Sequence, residues 1–154
     1  MAVARAARWG VAVEFETGDM DELQLGRQFD GVLVCDALHH SGRRRAVVSN
    51  VARHVRPGGW ALPGEPSLLH AISPGARRTT HELGWIERGI SVRGLRRDCT
   101  RAGLGDFRRF FEPTRAYENR GRGFAWQAVR LAAANLAVAP QASVWLAARR
   151  PDWA

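Results

Sequence analysis

The chain contains no lysine. All 23 of its basic side chains are arginine, and together with 15 acidic residues they give a formal net charge of +8. Such a charge usually suggests nucleic acid or an anionic membrane as a partner. The arginines are scattered, however, with one run at residues 43–45, and no basic ribbon interleaved with aromatic residues is present. We therefore attribute the arginines to codon bias and do not expect nucleic acid as a partner, although a basic nucleic-acid-binding domain is kept as an alternative.

Long apolar runs and cysteines are also scarce. No run approaches the roughly 18 apolar residues of a membrane-spanning helix. The amino-terminal segment has spaced arginines but no continuous apolar stretch typical of a secretory signal. These absences predict a cytoplasmic protein. The two cysteines, Cys35 and Cys99, fit that compartment and are predicted to pack in a strand and on a helix face.

No internal repeat or low-complexity linker divides the sequence, so we expect residues 1–154 to form a single domain. The apolar content of 45% and the charged content of 25% are typical of globular proteins. A chain of this length buries roughly 68–70% of its unfolded surface when it folds. The length is sufficient for a real core if the layers of the fold are complete.

The first third of the chain predicts a helix followed by two strands. Residues 2–9 have helical composition and end at Gly10, a residue typical of helix C-caps. Residues 11–15 place an apolar side chain at every second position, which predicts a strand with one apolar face. The unbroken apolar run at residues 32–35 predicts a strand covered on both faces, as in the parallel centre of an α/β sheet.

The next segment predicts another helix and strand. Ser41 can cap a helix whose apolar positions recur at a spacing of three to four residues and which the Pro-Gly-Gly of residues 57–59 stops. The strand at residues 60–62 should be short or bulged, because Pro63 lacks an amide hydrogen. Further predicted elements are a helix from Ser91 to Gly103, strands at residues 107–111 and 143–148, and an apolar helix over residues 124–137.

Short motifs follow the predicted strands. Gly18-Asp19-Met20 comes after the first strand, Cys35-Asp36-Ala37-Leu38-His39-His40 after the second, and Glu65-Pro66 after the third. From residue 11 to residue 66 this order resembles the middle of a class I S-adenosylmethionine-dependent methyltransferase. The glycine-rich cofactor loop of that family would precede Met1, so the resemblance implies an amino-terminally truncated member. The implied fold class is α/β: an incomplete Rossmann-like methyltransferase sheet, mostly parallel with an antiparallel final strand and with helices on both faces.

The resemblance also implies the cofactor, S-adenosylmethionine, and its contacts. Asp19 would accept from the adenine amine and Met20 would lie against the ring. Cys35, Asp36 and Leu38 would pass under the methionine and sulfonium part of the cofactor. Asp19 as a turn residue and Asp36 as a loop or helix-entry carboxylate are the alternatives.

The candidate catalytic residues are His39, His40 and Glu65. An imidazole titrates near neutral pH and can take a proton from an acceptor, and Glu65 ends a strand at the same rim of the sheet. Adjacent residues of an extended chain point in opposite directions, so the two histidines are not expected to serve one proton or one metal ion. No metal site is predicted. Structural histidines and a glutamate that caps or pairs with arginine are the alternatives.

Two segments fall outside the family pattern and are predicted to be substrate-side insertions, residues 67–90 and 112–141. They contain three aromatic side chains that could stack on a planar or sugar ring, Trp85, Tyr117 and Trp126, although packing is the alternative. The resemblance thus implies methyl transfer to a small-molecule, sugar or lipid-like acceptor. Without the glycine-rich loop we expect impaired cofactor binding, so whether the chain is an active enzyme is left open. The alternatives are a non-catalytic module that associates with itself or another protein through an exposed sheet edge, and the nucleic-acid-binding domain above.

Overall fold

A four-stranded mixed sheet lies at the centre of the computed structural model, which describes residues 2–110 and 143–153. The strands are β1 (Phe29–Cys35), β2 (Val55–Pro66), β3 (Gly105–Phe110) and β4 (Ser143–Arg149), in the order β1-β2-β4-β3. β1 is parallel to β2, and β4 runs antiparallel to both β2 and β3. The predicted α/β class and the antiparallel final strand are confirmed.

β1 and β2 lie side by side and point the same way, as the sequence predicts. Val32 pairs with Ala61 and Leu33 with Leu62. The Asp36 amide donates to the Gly64 carbonyl oxygen at 2.9 Å, which extends the ladder one residue beyond β1. The carboxyl ends of both strands therefore meet at one rim of the sheet.

β2 is longer and more regular than predicted. It has 12 residues, and its pairing with β4 keeps one register from Trp60 to Pro66, so Pro63 neither ends nor bulges the strand. The irregularity lies earlier, where the register with β1 shifts between Phe29 and Gly31. The preceding helix also ends sooner than expected, at His54, and the chain enters β2 directly.

Four helices accompany the sheet in the described residues: α1 (Ala2–Arg8), α2 (Arg44–His54), α3 (Pro74–Leu83) and α4 (Val92–Arg101). Single turns of 3-10 helix lie at Leu38–His40 and His70–Ile72. α2 and α4 pack against each other and against the sheet. The core between these layers consists of buried apolar side chains, namely Leu38, Val47, Val48, Ala52, Val55, Ala61, Ile90, Leu95, Cys99, Leu104, Val144, Leu146 and Ala148. No helix of the described ranges has the length and apolar character that crossing a membrane requires.

The helix starts differ in how well the sequence predicts them. Ser91 caps α4 as expected, because its Oγ accepts from the Gly94 amide at 3.0 Å. Ser41 does not cap α2. Its Oγ accepts from the amide of Arg43, which is itself the N-cap and provides no side-chain cap. The start of α2 is instead held to α4 by Arg44, whose Nε and Nη2 both donate to Asp98 Oδ2, at 2.8 and 2.6 Å.

The predicted strand at residues 11–15 is wrong. This segment is irregular, and Val11, Val13 and Phe15 are 54%, 51% and 47% exposed. Alternating apolar residues form a strand only beside another strand that satisfies their backbone groups, and none lies next to this segment in the described chain.

The expectation that β1 is covered on both faces is also wrong, since Leu33 is 64% exposed. Within the described ranges β1 is an edge strand of the sheet. Cys35, expected to pack, is exposed, whereas Cys99 is buried as expected. The predicted helix over residues 124–137 lies outside the described residues.

Candidate functional site

The rim at the carboxyl ends of β1 and β2 gathers most of the polar residues that the sequence singles out. After β1 the chain turns at Asp36, whose φ of 48° is left-handed, a conformation that aspartate tolerates better than most residues. The turn leads into the 3-10 helix that contains His39 and His40. Glu65 stands next to the end of β2 and points into the start of this helix.

Glu65 is fully buried at the centre of the rim, with 0% exposure. Its Oε1 accepts from the amides of Ala37 and Leu38 at 3.1 and 2.9 Å, and its Oε2 accepts from the amide and the Nδ1 of His39 at 3.3 and 2.9 Å. A carboxylate at the amino-terminal end of a helical turn satisfies amides that have no partner within the helix. The geometry therefore favours Glu65 as the group that holds the histidine turn, not as a base that meets an acceptor.

His39 is fixed by this carboxylate. Because an ionised carboxylate only accepts hydrogen bonds, the Nδ1 of His39 carries the hydrogen that it shares with Glu65. The other ring nitrogen, Nε2, lies 3.6 Å from Glu87 Oε2. The His39 side chain is only 6% exposed. It is buried too deeply to be the first group that an acceptor meets.

His40 is the one of the three candidate catalytic residues that reaches the surface, with a side chain 35% exposed. Its Nδ1 lies 2.9 Å from the carbonyl oxygen of Ile86 and donates to it. Its ring is 3.8 Å from the ring of His39 and meets the edge of Trp85 at 5.9 Å. The expectation that the two histidines point apart is wrong, because a helical turn brings adjacent rings closer than an extended chain does.

The predicted adenine contacts lie on an exposed loop before β1. Asn50 of α2 pins this loop, because its Nδ2 donates to the carbonyl oxygens of Met20 and Leu23 at 2.9 and 2.8 Å. The side chains of Asp19 and Asp21 share a hydrogen bond that lowers the pKa of Asp19 and raises the pKa of Asp21. Met20 is 38% exposed. Asp19 and Met20 are thus open to a ligand while the backbone beside them is fixed.

The remaining predicted site residues differ in location: some are exposed near the rim, one is in the core, and two lie outside the described residues. Cys35 is exposed at the end of β1, and Leu38 is 2% exposed and belongs to the core, which favours packing over contact with a cofactor. Trp85 is 56% exposed beside His40, where it can form a wall of the site. Tyr117 and Trp126 lie outside the described residues.

Sequence reasoning missed three polar residues of the site: Asn50, His70 and Glu87. The His70 Nε2 lies 2.8 Å from Glu87 Oε2, and the Glu87 side chain is 7% exposed. Asn50 lies on the otherwise apolar buried face of α2, and a polar residue at such a position indicates a specific hydrogen-bonding role. No local signal exists for Glu87, which approaches His40 across 47 positions of sequence.

Comparison with known proteins finds the same fold among methyltransferases. Residues 1–59 match the family model described as a methyltransferase domain, and no curated protein matches. An S-adenosylmethionine-dependent methyltransferase from Mesorhizobium loti shares the fold, with a TM-score of 0.65 and 18% identity over 96% of this chain and 75% of that one. The sheet is thus that of the Rossmann-like methyltransferases. The predicted resemblance to the class I S-adenosylmethionine-dependent methyltransferases is confirmed.

Two further structures show how broadly this fold is used. Phosphoethanolamine N-methyltransferase 2 from Haemonchus contortus has a TM-score of 0.55 and 15% identity, over 86% of this chain and 36% of that one. The cyclase SpnF has a TM-score of 0.62 and 19% identity, over 97% of this chain and 62% of that one. Identities this low establish a shared fold and not a shared reaction. The chain spans less than two thirds of the length of both proteins.

Proposed function

We propose that this chain contributes to S-adenosylmethionine-dependent methyl transfer onto a small-molecule, sugar or lipid-like acceptor. The observation that carries the proposal is the parallel pairing of β1 and β2, which brings Asp36 and His40 to one rim. Ligands of open α/β sheets bind outside the carboxyl ends of the strands. The match to a methyltransferase domain supports this cofactor and this reaction for the same part of the chain.

The residues present fit part of the cofactor. S-adenosylmethionine carries two amino groups, one on adenine and one on methionine, and exposed carboxylates are suitable acceptors for both. Asp19 would accept from the adenine amine, with Met20 against the ring, and Asp36 at its left-handed turn would accept from the methionine amine. When bound, the cofactor supplies an activated methyl group on a sulfonium.

Cofactor binding by the isolated chain is expected to be weak. The loop that carries Asp19 is exposed throughout residues 11–20, and β1 has a neighbour on one side only within the described residues. A site with one such open wall excludes water poorly, which weakens each polar contact.

His40 is the residue we expect to face the acceptor. Methyl transfer depends mainly on aligning the nucleophile with the methyl group, and a base is needed only for acceptors that are still protonated. His40 combines exposure with a fixed ring, while His39 and Glu65 hold the turn behind it. Trp85, at the edge of His40, would pack against a planar or sugar ring of the acceptor.

Calorimetric titration with S-adenosylmethionine tests the proposal. Asp36→Asn should weaken binding at least threefold, because an amide bonds an ammonium group less strongly than a carboxylate does. Asp106→Asn is a matched control, since Asp106 has nearly the same left-handed backbone, with φ 46°, but lies at the start of β3. Equal binding by the two variants would refute the proposed cofactor contact.

A second candidate function is association through the edge of β1 that has no neighbouring strand within residues 2–110 and 143–153. An edge strand with an exposed apolar side chain readily pairs with another strand, and Leu33 is 64% exposed. Sedimentation velocity should show self-association, or binding of a second chain, that Leu33→Arg reduces. A chain that stays monomeric at all concentrations, or an unaffected variant, would contradict association between copies of this chain.

A further inference from the structure

The geometry points to a divalent transition-metal site formed by His39, His40 and Glu87, and we propose Zn²⁺ as the ion that fits it best. One ligand atom of each residue lies within 4.8 Å of the ligand atoms of the other two. Two imidazoles and one carboxylate form a donor set that Zn²⁺ accepts in proteins. This inference does not depend on the proposed methyl transfer.

The spacing of the donor atoms suits one shared ion. The Nε2 of His39 is 3.6 Å from Glu87 Oε2, and the Nδ1 of His40 is 3.7 Å from Glu87 Oε1. Both distances exceed those of hydrogen bonds. Tetrahedral bonds of about 2.0–2.2 Å to zinc place neighbouring ligand atoms about 3.3–3.6 Å apart. These two distances end on different oxygens of Glu87, and the three donor atoms lie within 4.8 Å of one another. The side chains must therefore close by up to about 1.5 Å, and His40 must leave the Ile86 carbonyl oxygen, to bind one ion with tetrahedral bonds.

The groups behind the ligands are arranged as in protein metal sites. A metal-binding histidine usually donates its other ring hydrogen to a carboxylate or a carbonyl oxygen, which fixes its orientation. Glu65 does this for His39, at 2.9 Å from Nδ1. The His70 Nε2, 2.8 Å from Glu87 Oε2, holds the carboxylate that would bind the ion. In this proposal Glu65 has a second role besides stabilising the helical turn, since it orients His39 as a ligand.

The site is closed on one side and open on the other. The side chains of His39 and Glu87 are 6% and 7% exposed, whereas that of His40 is 35% exposed. Three protein ligands leave a fourth position for water or for an oxygen of a bound molecule, as in catalytic zinc sites. A metal ion there would lower the pKa of an acceptor hydroxyl. Binding would displace the hydrogen of His40 Nδ1, which in the metal-free protein is donated to the Ile86 carbonyl oxygen.

Titration of the tag-free chain with Co²⁺ tests the proposal, because tetrahedral Co²⁺ absorbs visible light when bound by nitrogen and oxygen ligands. Competition with Zn²⁺ then gives the affinity for zinc. Glu87→Gln and His40→Ala should each weaken binding at least tenfold. The matched controls Glu82→Gln and His81→Ala, on the exposed surface of α3, should leave it unchanged.

Circular dichroism establishes that each variant is folded before its affinity is compared. No visible band with Co²⁺, or equal losses in the site variants and the controls, would overturn the metal site. If His40→Ala abolished methyl transfer but kept the affinity for metal, the metal site would be refuted and the proposed function would stand. If metal bound as predicted without methyl transfer, the reverse would hold.

Discussion

Replacing Glu65 by glutamine should destabilise the fold strongly, although the side chain keeps its size. Glutamine retains one oxygen, which can still accept from the amides of Ala37 and Leu38. Its NH₂ group, however, would face the two donors of His39, the amide and the Nδ1, which now bond to Glu65 Oε2. Two buried donors would lose their acceptor and meet another donor.

The expected magnitude follows from these two lost bonds. A buried polar group without a partner costs about 1–3 kcal/mol, so two such groups cost about 2–6 kcal/mol. A domain of this size has a total free energy of unfolding of about 5–15 kcal/mol. Glu65→Gln should therefore remove a large fraction of the stability.

Urea unfolding followed by circular dichroism measures this loss. Glu82→Gln on the exposed surface of α3 is the control, and it should change the free energy of unfolding by less than about 0.5 kcal/mol. A loss below about 1 kcal/mol for Glu65→Gln would refute the assignment of Glu65 as the carboxylate that holds the histidine turn.

Three further predictions concern a buried ion pair and the two cysteines. Asp98→Asn should lower the free energy of unfolding in urea by about 3 kcal/mol, because it breaks a buried ion pair with Arg44. The control Asp152→Asn, in an exposed ion pair, should lower it by less than about 1 kcal/mol. Similar losses of stability in the two variants would contradict this prediction. Burial and the neighbouring carboxylate raise the pKa of the Cys99 thiol to about 12, so at pH 8 a thiol reagent should modify the exposed Cys35 and spare Cys99 until the chain unfolds. Since the pKa of Cys99 is raised in the folded state from 9.0 to about 12, its contribution to stability is complete below about pH 9 and is lost as the pH rises towards 12. Cys99→Ala should flatten this fall in the free energy of unfolding, and an unchanged slope would contradict the assignment.

The parallel rim was predictable from the sequence because its signals are local. The apolar run at residues 32–35 predicts a strand, although not which of its faces are buried, and the chain order of strand, helix and strand favours parallel pairing. The α/β class and the positions of Asp36 and Glu65 at one edge follow from that pairing. The irregular segment at residues 11–15 shows the limit of this reasoning, since its alternation carries no information on whether a neighbouring strand is present.

The cluster of histidines and glutamates was not predictable, because it depends on contacts across the chain. The spacing of His39 and His40 gives opposite directions in an extended chain, yet the carboxylate of Glu65 folds these residues into a helical turn. Glu87 then arrives from a segment that returns to the turn, held by the bond from the Arg88 amide to the His39 carbonyl oxygen at 3.1 Å. Neither contact has a pattern in the local sequence.

The most direct test of the rim as the ligand site is nuclear magnetic resonance of the ¹⁵N-labelled chain titrated with S-adenosylhomocysteine, the product of the cofactor, since this method detects weak binding. Amide signals of residues 36–40 and of the loop at Asp19 should shift together along one binding curve. Signals at Gly58 and at the start of β3, which lie away from the rim, should stay in place. Shifts confined to those distant positions, or no shift at millimolar ligand, would contradict the account.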